Sequence, residues 1–132
     1  MANLTKKPDV IPEFVATMAQ YRQALLSIRP HLTDRMLALL RLQYRAPNHT
    51  ISSIEIADHF KLDTHSSANR LYALFAKLMA TALEFTPPCR GKTTISYWCT
   101  LSTGDTETSR TEEGRFVMRP EFAEAVADLR WA

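Results

Sequence analysis

Apolar residues Phe14, Met18, Tyr21, Leu25 and Ile28 recur at spacings of four, three, four and three, which is one face of a helix. Pro12 suits a first helical position, Glu13 suits a first turn, and Pro30 is a stop. The pattern predicts an N-terminal helix over 12–30, preceded by a flexible tail over 1–11. Thr33 then offers an N-cap and Asp34 an acidic first turn. Met36, Leu37, Leu39, Leu40, Leu42 and Tyr44 follow, apolar around most of a helix that belongs in the middle of a core and stops before Pro47.

Thr50-Ile51 is β-prone, and Ser52 with Glu55 reads as a capping box. The short helix it opens, from Ile54 to Phe60, is expected to turn Ile54, Ala57 and Phe60 inward. Lys61 to Thr64 makes a turn. A longer helix over His65 to Leu83 carries Leu71, Phe75, Leu78 and Ala82 on one stripe, with Tyr72, Met79 and Leu83 beside it. Pro87-Pro88 closes this helical core, 33–86.

From Thr93 to Leu101 the period changes to two, with Ile95, Tyr97, Cys99 and Leu101 alternating with polar residues and Trp98. Thr103 to Gly114 contains no apolar residue and reads as an exposed loop. Arg115 to Met118 gives a second strand, so 93–118 is expected to form a β-hairpin. Pro120 opens a last helix over 120–131, with Phe122, Val126 and Leu129 on one face and Trp131 as a terminal anchor. The expectation is a single α+β, mostly α domain over 12–132. Without its first and last helices, the order of elements is that of a winged helix-turn-helix.

Composition narrows the classes. The 132 residues are 45% hydrophobic and 23% charged with three glycines, a globular profile. No apolar run is long enough for a membrane span, and the N-terminus lacks the apolar stretch of a secretory signal, so a cytoplasmic location and no membrane partner are expected. Cys89 and Cys99 could pair across a hairpin, but two reduced thiols is the simpler reading. The net charge of +2 divides unevenly. Residues 1–100 hold 12 basic and 7 acidic side chains, net +5, whereas residues 101–132 hold 4 and 7, net −3.

In a helix-turn-helix the start of the second helix reaches base edges in the major groove. Here that stretch is Thr64, His65, Ser66, Ser67, Asn69 and Arg70, all hydrogen-bonding types. Asn can pair bidentately with adenine and Arg with guanine. Lys61, Lys77, Arg90 and Lys92 are placed to meet phosphates, and Arg35, Arg41 and Arg45 could extend the patch. The hairpin tip points the other way: Asp105, Glu107, Glu112 and Glu113 would be repelled by a phosphate backbone.

No catalytic constellation, phosphate-binding loop or metal-ligand spacing is present, so no catalytic residue, metal or cofactor is expected. His59 and His65 flank the turn and read as a pair without metal. Trp98 reads as buried beneath the C-terminal helix; on an open face it would be a hot spot for a partner protein.

The stretch from Thr50 to Leu83, with SYWCTLSTG and GRFVMRPEFAEAVADLRW after it, resembles small bacterial winged-helix modules associated with HNH-type restriction and phage-defence proteins. The resemblance implies DNA recognition with Ser66, Ser67, Asn69 and Arg70 at the reading end, and no catalytic residue. The leading expectation is a non-catalytic duplex-DNA-binding protein, a regulator, acting as a homodimer through its first helix, its last helix or both. The alternative is a protein–protein adaptor or inhibitor, from phage anti-defence or a defence complex, that engages a basic partner through Trp98 and the acidic residues Asp105, Glu107, Glu112 and Glu113. An isolated oligomerisation domain is a third reading.

Overall fold

The computed structural model describes residues 11–90, 94–104 and 115–132. The first helix, α1, is Met18–Ile28 and starts later than the apolar spacing suggests. Thr17 and Gln20 form a reciprocal capping box, in which the Gln20 amide donates to Thr17 Oγ1 (3.1 Å) and the Thr17 amide to Gln20 Oε1 (2.8 Å). Satisfying two orphan donors at Thr17 fixes the start there. Pro12 to Ala16 therefore stay outside the helix, and Phe14 is 57% exposed instead of lying on the buried stripe. Tyr21, Ala24, Leu25 and Ile28 are buried. A 3-10 turn over Arg29–His31 carries Pro30.

Helix α2, Asp34–Arg45, is capped by Thr33 as expected and buries Met36, Leu37, Leu39, Leu40 and also Gln43. After a 3-10 turn at Pro47–His49 comes β1, Thr50–Ser52, and then α3, Ser53–Phe60, opened by the Ser52–Glu55 capping box. The inward face of α3 is Ser53, Ile56 and Ala57, whereas Ile54 is 51% exposed. The expected inward set shares only Ala57 with it, because eight residues hold too few apolar positions to fix a helix's rotation. Helix α4, His65–Leu83, has the predicted bounds and ends on Glu84 in the left-handed region. It buries Ala68, Tyr72, Phe75, Ala76, Met79 and Ala80.

The expected hairpin over 93–118 is corrected. Cys89–Arg90 (β2) pairs with Thr94–Ile95 (β3) as a separate two-stranded ribbon. Tyr97–Thr100 is a 3-10 turn, and Ser102–Gly104 (β4) pairs with Arg115–Met118 (β5). Side chains explain why 97–100 leaves the extended state. Arg119 Nε donates to the Cys99 carbonyl (2.8 Å) and Tyr21 Oη to that of Thr100 (2.6 Å). The Arg119 amide donates to the Leu101 carbonyl (2.9 Å). These carbonyls have partners without a strand neighbour. The alternation of buried Cys99 and Leu101 survives, but it is read out by a turn. Thr103 and Gly104, expected in the loop, lie in β4, and the rest of that expected loop, 105–114, lies outside the described residues.

β5 is the centre of a three-stranded antiparallel sheet in the order β1-β5-β4. Ile51 and Gly104 both face Phe116 across the ladders. Phe116 and Met118 point into the core, and the Phe116 ring stacks on Tyr72 with centroids 4.2 Å apart. Gly104 leaves room for the Trp98 ring: a Cβ there would meet it at 3.0 Å, so the ring would have to give by a few tenths of an ångström. Trp98, expected to be buried, is half-buried, with its ring 5.9 Å from that of Phe116 between centroids.

The last helix, α5, is Pro120–Leu129 and buries Phe122, Ala123, Ala125 and Val126. It packs on α1, and the Tyr21 and Phe122 rings lie 5.3 Å apart. Arg22 and Asp128 join the two helices through an ion pair at 2.6 Å. The apolar stripes of α1 and α5, expected to join two copies, are thus buried within one chain. Trp131 is half-buried at the end, with the Arg29 guanidinium 5.7 Å from its ring and Arg41 Nε donating to its carbonyl (2.7 Å). Among the described residues no helix is long and apolar enough to cross a membrane.

Candidate nucleic-acid interface

α3, a four-residue turn and α4 form a unit whose turn is set by local chemistry. Lys61 caps α3 in the left-handed region (φ 57°), its amide donating to the Ala57 and Asp58 carbonyls. The Leu62 amide donates to Ala57 at 2.8 Å. This closing pattern satisfies the Ala57 and Asp58 carbonyls near the end of α3 and reverses the chain. The Lys61 side chain is left exposed. Thr64 then caps α4, its Oγ1 accepting from the Ser67 amide (3.1 Å) and lying 3.3 Å from Ser67 Oγ.

These bonds sort the candidate recognition residues. Thr64 and Ser67 are engaged with each other at the cap. His65 is half-buried. Asn69 lies on the flank that Ala76 and Ala80 share, and its Oδ1 is buried without a hydrogen-bond partner. The bidentate adenine reading needs both that oxygen and the amide nitrogen at the surface, so Asn69, half-buried with its Oδ1 inside, does not belong to the exposed set. Ser66 and Arg70 do: both are exposed. Continuing along the same stripe, Leu74 is 51% exposed and Lys77 is exposed. Spacings of four, four and three keep these four within one side of the helix.

Leu74 was not among the expected site residues, although the spacing from Ser66 and Arg70 contains the signal. Leu71 and Leu78, expected on the buried stripe, are half-buried, and Tyr72 and Met79 take the central positions instead. The Lys77 ammonium sits 5.8 Å from the Tyr97 ring, a cation–π contact that holds it at the edge of the 3-10 turn. On α2, Arg35 lies 5.8 Å from the Phe60 ring, close to the turn, whereas Arg41 is spent on Trp131.

Of the remaining expected residues, Lys92, Asp105, Glu107, Glu112 and Glu113 lie outside the described residues, as does the side chain of Arg90. Residues 1–10 of the expected tail lie outside them too. Cys89 and Cys99 are both free thiols, the first exposed and the second buried. His59 is exposed, and among the described residues no group of three or more His, Cys, Asp or Glu is arranged to hold a metal ion.

On the buried side of α4 lies a polar cluster that sequence reasoning missed. Gln43 is 2% exposed and reaches three acceptors through Nε2: Ser102 Oγ (3.1 Å), the Phe116 carbonyl (3.1 Å) and the His49 carbonyl (3.3 Å). Tyr72 Oη donates to Gln43 Oε1 at 2.7 Å and lies 2.5 Å from Ser102 Oγ. One network therefore ties α2, α4, β4 and β5 together. Burial lifts the Tyr72 phenol above the usual range, partly offset by its bonds to Ser102 and Gln43. Burial does the same to Tyr21. The Cys99 thiol is pushed up to about 12 by burial, against the opposing pull of the nearby Arg119 guanidinium.

Comparison of the chain with protein-family models, with curated proteins and with solved structures gives no match.

Proposed function

We propose that the protein is a non-catalytic winged helix-turn-helix DNA-binding protein that lays α4 in the major groove. The sheet order β1-β5-β4 supports the fold reading, since one strand precedes the helix pair and the other two follow it as a hairpin. The observation that carries the functional reading is the outer stripe of α4: Ser66, Arg70, Leu74 and Lys77 face solvent while the opposite side is buried in the core. Each supplies a chemistry that duplex DNA accepts. Arg70 presents a fork for guanine, Ser66 a hydroxyl for a base edge or phosphate, and Leu74 an apolar surface for a thymine methyl. Lys61 and Lys77 flank the stripe as phosphate contacts.

Because the stripes of α1 and α5 are spent on each other, the reading uses one copy per site. Nuclear magnetic resonance tests it directly. Titrating the 15N-labelled protein with a mixed-sequence duplex of about two helical turns should shift the amides of Lys61, Ser66, Arg70, Leu74 and Lys77 first. Shifts confined to residues away from α4, or none at low salt, would remove this reading.

A further inference from the structure

An open cleft of about 380 Å³ lies between the end of α2, β1 and α3, on a different part of the surface from the α4 stripe. Leu42, Ala46 and Ile51 supply its apolar lining; Arg45 stands on the α2 side, and Glu55, Asp58 and His59 on the α3 side. Ile51 is buried and Leu42 and Ala46 are half-buried, so they form the floor, while the four polar side chains are exposed at the rim. Opposite charges therefore line one cleft, yet among the described residues Arg45 forms no ion pair with Glu55 or Asp58. Glu55 uses Oε1 to accept from the Ser52 amide. That bond holds the carboxylate at the start of α3.

We infer that this cleft binds a free α-amino acid with an apolar side chain. The Arg45 guanidinium takes the carboxylate through charge-assisted hydrogen bonds. Glu55 and Asp58 take the ammonium, and the side chain lies on Leu42, Ala46 and Ile51. A volume of about 380 Å³ sits at the small end of ligand pockets. The charge arrangement selects a zwitterion. A simple anion attracted to Arg45 faces two carboxylates, and a simple cation drawn to those carboxylates faces Arg45. Only a ligand with both charges gains on both walls. Ile51 belongs to β1, which pairs with β5, and Glu55 caps α3, so an occupant touches the entry to the helix pair.

This inference stands apart from the DNA reading, because its test uses the protein alone. The 15N-labelled chain is titrated separately with L-leucine, L-methionine and L-phenylalanine, and then with isovalerate and isoamylamine, which each keep one charge. The expected result is saturable shifts at Leu42, Ile51, Glu55 and His59 with at least one amino acid, and binding of both singly charged analogues at least about tenfold weaker. Arg45→Gln and Asp58→Asn should each weaken binding by about tenfold. Glu55→Gln should do the same while keeping the capping acceptor, so its melting curve stays that of wild type. No saturation with any of the three amino acids up to about 20 mM would overturn the inference. So would analogues that bind as tightly as the amino acid, or charge variants that bind like wild type.

Discussion

Tyr72 Oη donates to Gln43 Oε1 at 2.7 Å inside the core, joining the helix that carries the outer stripe to the helix that supports the sheet. Both residues are almost fully buried. Tyr72→Phe keeps the ring stacked on Phe116 but leaves the Gln43 oxygen without its donor. The expected cost is about 1–3 kcal/mol. Thermal denaturation should show it as a fall in Tm on the order of 5–10 °C. A Tm unchanged by this substitution would mean that the network does not contribute to the fold.

The rotation of α3 makes a paired prediction. Ile56 is fully buried and Ile54 is half exposed. Ile56→Ala should cost about 2–5 kcal/mol through lost burial and the cavity left behind, whereas Ile54→Ala should stay within about 0.5 kcal/mol. Urea unfolding of the two variants measures both. Reversed costs would place Ile54 inward, where the spacing alone had put it.

The two thiols should differ in reactivity. Cys89 is exposed, and Cys99 is buried with its thiol pushed up to about 12. At pH 8 Ellman's reagent should titrate one thiol in the native protein and two in denaturant. Because burial favours the neutral thiol, the unfolded chain releases this proton first, near 9.0. The stabilisation is complete below that pH and is lost as pH rises from about 9 to about 12. Tyr21 and Tyr72, raised for the same reason, add to the loss at the alkaline end. Alkaline unfolding curves should show this decline, and Cys99→Ala should flatten its first part.

Asn69 gives a prediction of opposite sign. Its buried Oδ1 has no partner, so the fold bears a desolvation cost there. Alanine removes that group and favours helix. Asn69→Ala should raise Tm by a few degrees, on the order of 1 kcal/mol, and leave duplex affinity within a factor of about two. A drop in affinity with unchanged Tm would return Asn69 to the reading face.

Local signals made much of the fold legible. Thr33, the Ser52–Glu55 box, Lys61 to Thr64 and Pro120 each act within one turn of chain, and the elements they delimit appear where the residues place them. What was not legible depends on partners far away in sequence. The strand expected through Tyr97 becomes a turn because Tyr21 and Arg119, 79 and 20 residues from their acceptors, take its carbonyls. Gln43 looks like an ordinary polar position until Ser102 and Phe116 are brought to it. The start of α1 was readable in principle, since Thr17 and Gln20 have capping-box spacing, but the apolar spacing from Phe14 outweighed it. In the candidate interface the hydrogen-bonding residue types were legible. Their division between the cap (Thr64, Ser67), the buried flank (Asn69) and the open stripe (Ser66, Arg70) depends on how α4 is rotated against the core.

The most direct test of the DNA reading is fluorescence anisotropy of a labelled mixed-sequence duplex at several salt concentrations. It compares the wild-type chain with a Ser66→Ala, Arg70→Ala, Lys77→Ala variant. The three positions are exposed, so the variant should melt like wild type. The account predicts wild-type binding that weakens with salt, with a log–log slope of about −2 to −4, and a variant ten- to a hundredfold weaker. Absence of salt-dependent binding by the wild type, or a folded variant that binds as well, would contradict it.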